Sequence, residues 1–323
     1  MSGPSLRLGL IGASPSSRSD LLPALRRQRR LRMTCLHSFA VDVGRKLAHE
    51  IGARHVCGAD ALARREDVDA LVVDPAWAGW DVLALLSQHH KPTLIITDGF
   101  ADRAFLNTQR VSDIASGAAA RGILLMPGLR NRWLPVTIRL RELIATSLGA
   151  VEELVLTGPP VPLASRACAE RIDWCYALIQ SAVTGVIVTS SDESESFTLK
   201  ITFRRRRADG TPISAVIPIT LDQPTPQVGS PPPLRAVLTC RSGLVEIQEQ
   251  DRMIYRVRGA SREESLQEDR PCTDLMIDLF ARRVLGGLVP VPDLNDVKGC
   301  LQIVEAAQES WSKGGVEFSL EHE

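Results

Sequence analysis

Up to about residue 130, short apolar runs alternate with stretches in which apolar residues recur every three or four positions. The runs are LRLGLI (6–11), LRMTCLH (31–37), ALVVD (70–74), PTLIIT (92–97) and GILLM (122–126). Helical spacing is clear over Val41–Ile51, over Asp81–His89 and from about Asp20. Strands that alternate with helices predict right-handed crossovers and a mostly parallel sheet. Runs that are apolar throughout, not at every second position, predict a sheet covered on both faces. The first 130 residues thus read as a Rossmann-like, doubly wound α/β domain.

From about residue 134 the rhythm changes. Helical stretches at Pro135–Thr146 and about Glu170–Val183 flank a strand, VEELVLTG. Strand-like runs follow: FTLKITF (197–203), ISAVIPITL (213–221), RAVLTC (235–240), LVEIQ (244–248) and RMIYRV (252–257). Arg204–Arg207 followed by Ala-Asp-Gly reads as a charged hairpin turn, and QPTPQVGSPPP (223–233) as a proline-rich connection within the domain. A helix over Leu294–Ser312 and a strand near Val316–Leu320 close the chain. Residues 131–323 therefore read as an α+β domain with a one-sided, mainly antiparallel sheet.

Bulk properties exclude several classes. With 38 Lys+Arg against 38 Asp+Glu there is no net charge, hence no general attraction to nucleic acid or to an anionic membrane. No apolar run approaches the roughly 20 residues that span a bilayer, and the N-terminus lacks signal-peptide character. The 7 cysteines, at 35, 57, 168, 175, 240, 272 and 300, never fall in C-x-x-C spacing, which predicts reduced thiols, a cytoplasmic location and no metal centre.

The first run leads into Gly12-Ala-Ser14-Pro15-Ser-Ser17, where a dinucleotide fingerprint would place glycines at 12, 14 and 17. Only the first is kept. Ser14 brings a Cβ where backbone should approach a pyrophosphate closely, and Pro15 removes an N–H donor from the cradle.

Together with this loop, an ordered series of local patterns resembles the glucose–fructose oxidoreductase/inositol dehydrogenase/MocA family. RKLAHEIGARHVCGADALARREDVDALVV (45–73) is similar to its second helix, short third strand and fourth strand. GILLMPGLRNRWLP (122–135) resembles its crossover segment, and LTCRSGLVEIQ (238–248) its strand-turn-strand. Met276–Phe318 is similar to its closing helix, loop, helix and strand. The resemblance implies NAD or NADP as cofactor, a sugar- or polyol-like ligand and a homo-oligomer formed through the C-terminal sheet.

Carried over position by position, the family's functional residues are largely replaced. The ribose-binding acid falls on Ser38, followed by Phe39. The Ala-Thr-Pro turn becomes Asp74-Pro75-Ala76, and the histidine after it becomes Trp80. A carboxylate at Asp74 would oppose a pyrophosphate. The family's lysine, which steadies the reacting oxygen, falls on Thr97, with Asp98 next to it. Its proton-transferring histidine falls on Cys175. No lysine lies between 91 and 200, and the second domain has no histidine before His322.

Substitute chemistry has few candidates. Asp173 and Tyr176 neighbour Cys175 and could move protons, while Cys175 lacks a base. Arg130 and Arg132 could hold an anion or be solvated. The basic stretch ALRRQRRLR (24–32) and the Arg204–Arg207 turn read as solvated surface, and His89-His90, at a helix end, as facing the helix dipole or water and not a metal. Two functions remain. One is a non-catalytic or strongly impaired binding or regulatory homologue, with cofactor affinity weak or lost. The other is an active NAD(P)-dependent oxidoreductase with replacement catalytic residues.

Overall fold

The computed structural model describes residues 5–12, 17–74, 79–97, 102–190, 197–221, 234–249, 252–266 and 270–320. The chain forms two compact units, Met1–Arg130 with Arg270–Lys298 and Asn131–Asp269 with Gly299–Glu323. Among the described residues, no helix is long and apolar enough to cross a membrane.

In the first unit β1 (Leu6–Ile11), β2 (Leu31–His37), β3 (Arg54–His55), β4 (Ala70–Val73), β5 (Thr93–Ile95) and β6 (Leu125–Pro127) form one sheet, ordered β3-β2-β1-β4-β5-β6. Every pairing in it is parallel. Helices α1 (Leu22–Arg27), α2 (Val41–Ile51), α3 (Ala59–Ala63), α4 (Trp80–Leu86), α5 (Asp102–Phe105) and α6 (Thr108–Ala120) supply the connections. The central strands are apolar on both sides because both sides are covered: Leu8, Leu10, Ile11 and Leu71–Val73 are wholly buried. Helix α2 stops at Gly52, whose left-handed backbone (φ 67°) closes the last turn.

The second unit begins with α7 (Pro135–Leu143), β7 (Val151–Leu156), the short β8 (Val161–Pro162) and α8 (Arg166–Ile179). Next come β9 (Val183–Ser190), β10 (Phe197–Arg206), β11 (Pro212–Thr220), β12 (Ala236–Cys240), β13 (Gly243–Glu249), β14 (Arg252–Val257) and β15 (Ala260–Ser265). With β16 (Phe318–Ser319) they make a 10-stranded sheet, ordered β15-β14-β13-β12-β7-β11-β10-β9-β16, with β8 beside β11. The pairings of β11 with β7 and β8 are parallel and the others antiparallel. Alternation along the strands leaves a row of half-buried apolar side chains across one face, interrupted by the exposed Lys200 and Glu246. Strand register runs it from Ile187 through Lys200, Val216, Val155, Val237 and Glu246 to Ile254.

Three sequence expectations change. The stretch 270–298 belongs to the first unit, although the cut at residue 130 assigns it to the second. The physical reason is a tether that no local pattern displays. Helix α9 (Cys272–Val284) places Asp274 under a two-pronged ion pair from Arg27, at 2.6 and 2.7 Å. Helix α10 (Leu294–Ser312) then runs on into the second unit.

Helix α8 starts earlier than expected, because the Ser165 hydroxyl caps it by accepting the Cys168 N–H at 3.1 Å. It also ends earlier, at left-handed Gln180 (φ 52°), so residues from Val183 form a strand instead.

Finally, parts of the basic and histidine surface are structural. Arg27 is tied to Asp274, and His89 Nε2 lies 2.6 Å from the Asp60 carboxylate. Arg205 and Arg207 donate to the Val151 and Glu152 carbonyls of β7. The turn after the arginine tetrad is made by Ala208-Asp209-Gly210, with Gly210 at φ 86°. The proline-rich connection, 223–233, lies outside the described residues.

Candidate functional site

In the first unit the strand order reverses between β1 and β4, and the crevice beyond their carboxyl ends is where such sheets bind ligands. Gly12 and Asp74 stand at those two ends. The Gly12 N–H donates to the His37 carbonyl at 2.9 Å, and the Asp74 N–H donates to the Ile11 carbonyl at 2.8 Å. Gly12 has φ 92°, and a Cβ there would sit 2.3 Å from the Asp74 carbonyl oxygen. The tight turn is therefore enforced by neighbouring backbone, whatever binds above it. Asp74 itself is wholly buried, its Cβ 3.1 Å from that same point.

The remaining first-unit positions are arranged unevenly. Ser38 follows β2 and is buried beside Gly44 at the start of α2. Its neighbour His37 is nearly buried, with Nδ1 3.1 Å from the Gly58 nitrogen and the Val56 carbonyl, and burial lowers its pKa. Phe39 is 51% exposed and meets the His37 ring edge-to-face at 5.0 Å. Ser17 opens a π-helical turn (Ser17–Leu21) that precedes α1, so the chain enters its first helix through a widened turn. Trp80 is committed to the interior, its indole N–H donating to the Phe105 carbonyl at 2.9 Å. Ser14, Pro15, Pro75 and Asp98 lie outside the described residues.

Thr97 is wholly buried and its hydroxyl donates to the Gly128 carbonyl at 2.9 Å. That bond uses its only proton to fasten the chain after β5 to the chain after β6. Lys91 is no substitute. Its ammonium donates to the Arg65 and Val68 carbonyls at the other end of the strand.

In the second unit the candidates share helix α8. Cys175 is wholly buried, and loss of solvent pushes its thiol pKa far above the ordinary value. Such a thiol stays protonated, so it serves neither as a base nor as a nucleophile. Asp173 is 1% exposed and held in a two-pronged pair by Arg132, at 2.5 and 2.9 Å. The pair engages both Asp173 carboxylate oxygens and takes Arg132, 12% exposed, largely out of solvent. Beside this pair the Trp174 indole N–H donates to Thr137, whose hydroxyl donates to the Asn131 carbonyl. Tyr176 is 38% exposed.

Sequence reading passes over Arg171. It lies three residues after Cys168 and four before Cys175, so all three share one face of α8. That spacing is the signal that singles it out, since a guanidinium flanked by apolar thiols has no local counter-ion.

No family model and no curated sequence matches the chain. Solved structures do match, over nearly its whole length. An NAD binding oxidoreductase from Klebsiella pneumoniae superposes with a TM-score of 0.78 at 12% identity, covering 99% of this chain and 100% of that one. An aldose-aldose oxidoreductase from Caulobacter crescentus gives 0.76 at 14% identity, covering 98% and 100%. The chain has the glucose–fructose oxidoreductase/inositol dehydrogenase/MocA fold. A UDP-N-acetylglucosamine 3-dehydrogenase from Acidithiobacillus ferrooxidans adds a TM-score of 0.72 at 16% identity, covering 95% and 97%. At such identities the likeness establishes the fold and leaves chemistry to the residues described above.

Proposed function

We propose that this protein is a degenerate member of that oxidoreductase group, retained as a binding or regulatory homologue and not as a hydride-transfer catalyst. One observation carries the reading. The two positions to which the resemblance gives proton and charge handling hold Thr97, with its proton already spent on Gly128, and Cys175, a buried neutral thiol. Neither supplies a positive charge or a base, and each such group is typically worth about 10²–10⁴ in rate.

A nicotinamide dinucleotide fits the first unit only in part. The strand order and the Gly12 turn suit a pyrophosphate, whereas the buried Asp74 carboxyl stands under that turn and the entry to α1 is irregular. If bound, the dinucleotide would be held by backbone near Gly12 and by Ser38, and would supply hydride chemistry. The loss of a few cradle hydrogen bonds, at roughly 1.5–3 kcal/mol each, moves a micromolar affinity toward millimolar. Calorimetric titration with NADH and NADPH tests this, and a Kd below about 10 µM for either would overturn it. Turnover of sugars or inositols near the enzyme median of about 10 per second would overturn the non-catalytic reading itself.

The row from Ile187 to Ile254, apolar except for the exposed Lys200 and Glu246, supports a homo-oligomer formed through the second-unit sheet, since apolar patches of this kind mark interaction sites. Light scattering that returns the 35.3 kDa monomer mass at high protein concentration would remove this part of the reading.

A further inference from the structure

The side chain on α8 that the structure leaves unbalanced is Arg171. It is 5% exposed, and its Nη1, wholly buried, has no hydrogen-bond partner among the described residues. The carboxylates on the same helix are already engaged, Glu170 with Arg166 at 3.1 Å and Asp173 with Arg132 at 2.5 Å. The groups that share its face are the Cys168 and Cys175 thiols. Burial pushes Cys168 up to about 12 and Cys175 higher still, so neither becomes the thiolate that could neutralise a guanidinium.

Burial lowers the Arg171 pKa from its ordinary value, but a guanidinium is not deprotonated in proteins, so the side chain cannot escape this position by releasing its proton. A buried, unpaired cation is costly, and proteins remove that cost with an anion and several hydrogen bonds. Among the described residues, none supplies a hydrogen bond to the buried Nη1 of Arg171.

We propose that Arg171 is the anchor of an anion site in the second unit, taking the oxyanion of a small ligand, a carboxylate or a phosphate. The planar fork of the guanidinium matches either group with two parallel N–H···O bonds. An oxyanion reaching a side chain with so little exposure is largely stripped of water, which strengthens the pairing. The site stands whether or not the first unit holds a dinucleotide. It also changes the ligand class, from a neutral polyol to a molecule bearing an acid group.

Titrations with malonate and, separately, inorganic phosphate at constant ionic strength test the proposal, with binding followed by calorimetry and by melting temperature. Wild-type protein should bind at least one of them saturably and melt higher in its presence. Binding of malonate alone assigns a carboxylate ligand, and binding of phosphate alone a phosphoryl one.

Arg171→Met should melt above the wild type in the absence of anions, because it no longer buries a charge, and should lose the response to both probes. Arg171→Lys keeps the charge without the fork and should bind at least about tenfold more weakly. The proposal fails if the wild type shows no saturable binding of either probe up to about 10 mM, or if the methionine variant binds as the wild type does. Should the methionine variant not fold, the wild-type titrations and the lysine variant decide the matter alone.

Discussion

The crevice between β1 and β4 and the helix α8 hold the residues that the family resemblance singles out, and the two are built in different ways. In the crevice the backbone is intact. The strand order, the Gly12 turn and its hydrogen bonds to neighbouring strands are all in place, while the side chains and loop residues above them have changed. On α8 the helix is intact and its polar groups have been drawn inward. Asp173 is locked to Arg132 and Cys175 has joined the core. The first region is held by backbone hydrogen bonds, whereas the second ties a carboxylate and a thiol into the interior. The contrast teaches that two parts of one fold can be fixed in different ways, one by backbone hydrogen bonds and the other by paired and buried side chains.

The strongest test of that contrast is at Arg132 and Asp173. Arg132→Ala removes the two-pronged pair from an aspartate that is 1% exposed, and should cost about 3–5 kcal/mol in denaturant unfolding. Asp173→Asn, which keeps the shape and removes the charge, should also destabilise. If Asp173→Asn left stability unchanged, the view that α8 has traded chemistry for structure would be lost.

Gly12→Ala asks the same of the crevice. The new Cβ meets the Asp74 carbonyl and requires φ 92°, so about 2–3 kcal/mol of stability should disappear. A variant as stable as the wild type would mean that the turn is free to relax, and that the glycine is kept for a ligand instead.

A smaller effect should separate the regions by ligand. Asp74→Asn removes a carboxyl under the Gly12 turn and should strengthen NADH or NADPH binding about tenfold, near 1.4 kcal/mol. Cys175→Ser should leave that affinity unmoved. An unchanged Kd for Asp74→Asn would show that the carboxyl does not oppose the dinucleotide.

The smallest energetic effect belongs to the Thr97 hydroxyl. Thr97→Val should cost about 1 kcal/mol, the usual worth of one buried hydrogen bond, with no change in cysteine reactivity. Alkylation of the native protein should label the exposed Cys57 and spare Cys175, as found by mass spectrometry of peptides. Rapid labelling of Cys175 would revive it as a reactive group.

Much of the fold was legible along the chain because its signals are local. The limits of β1, β2, α2 and α10 follow from apolar runs and helical spacing, and the parallel and antiparallel halves follow from the order of elements. The capping of α8 by Ser165 and its stop at Gln180 were harder to read, since a strand rich in valine follows the helix almost at once. The site was legible mainly as replacement. Sequence comparison places Thr97 and Cys175 where other chemistry is expected, but does not say what these residues do there.

By itself the sequence determined the kinds of element, their alternation in the first half, the hairpins of the second and the absence of a lysine or histidine where the fold's relatives are expected to use them. Only the tertiary structure decided that residues 270–298 belong to the first unit, through an ion pair spanning 247 positions. It also decided that Thr97 bonds Gly128, that Asp173 is held by Arg132 and that the buried Nη1 of Arg171 has no hydrogen-bond partner among the described residues. The reason is physical. Periodicity is set by neighbours three or four residues away, whereas burial and ion pairing depend on which distant surfaces close over a side chain, and solvent loss then fixes whether it carries charge.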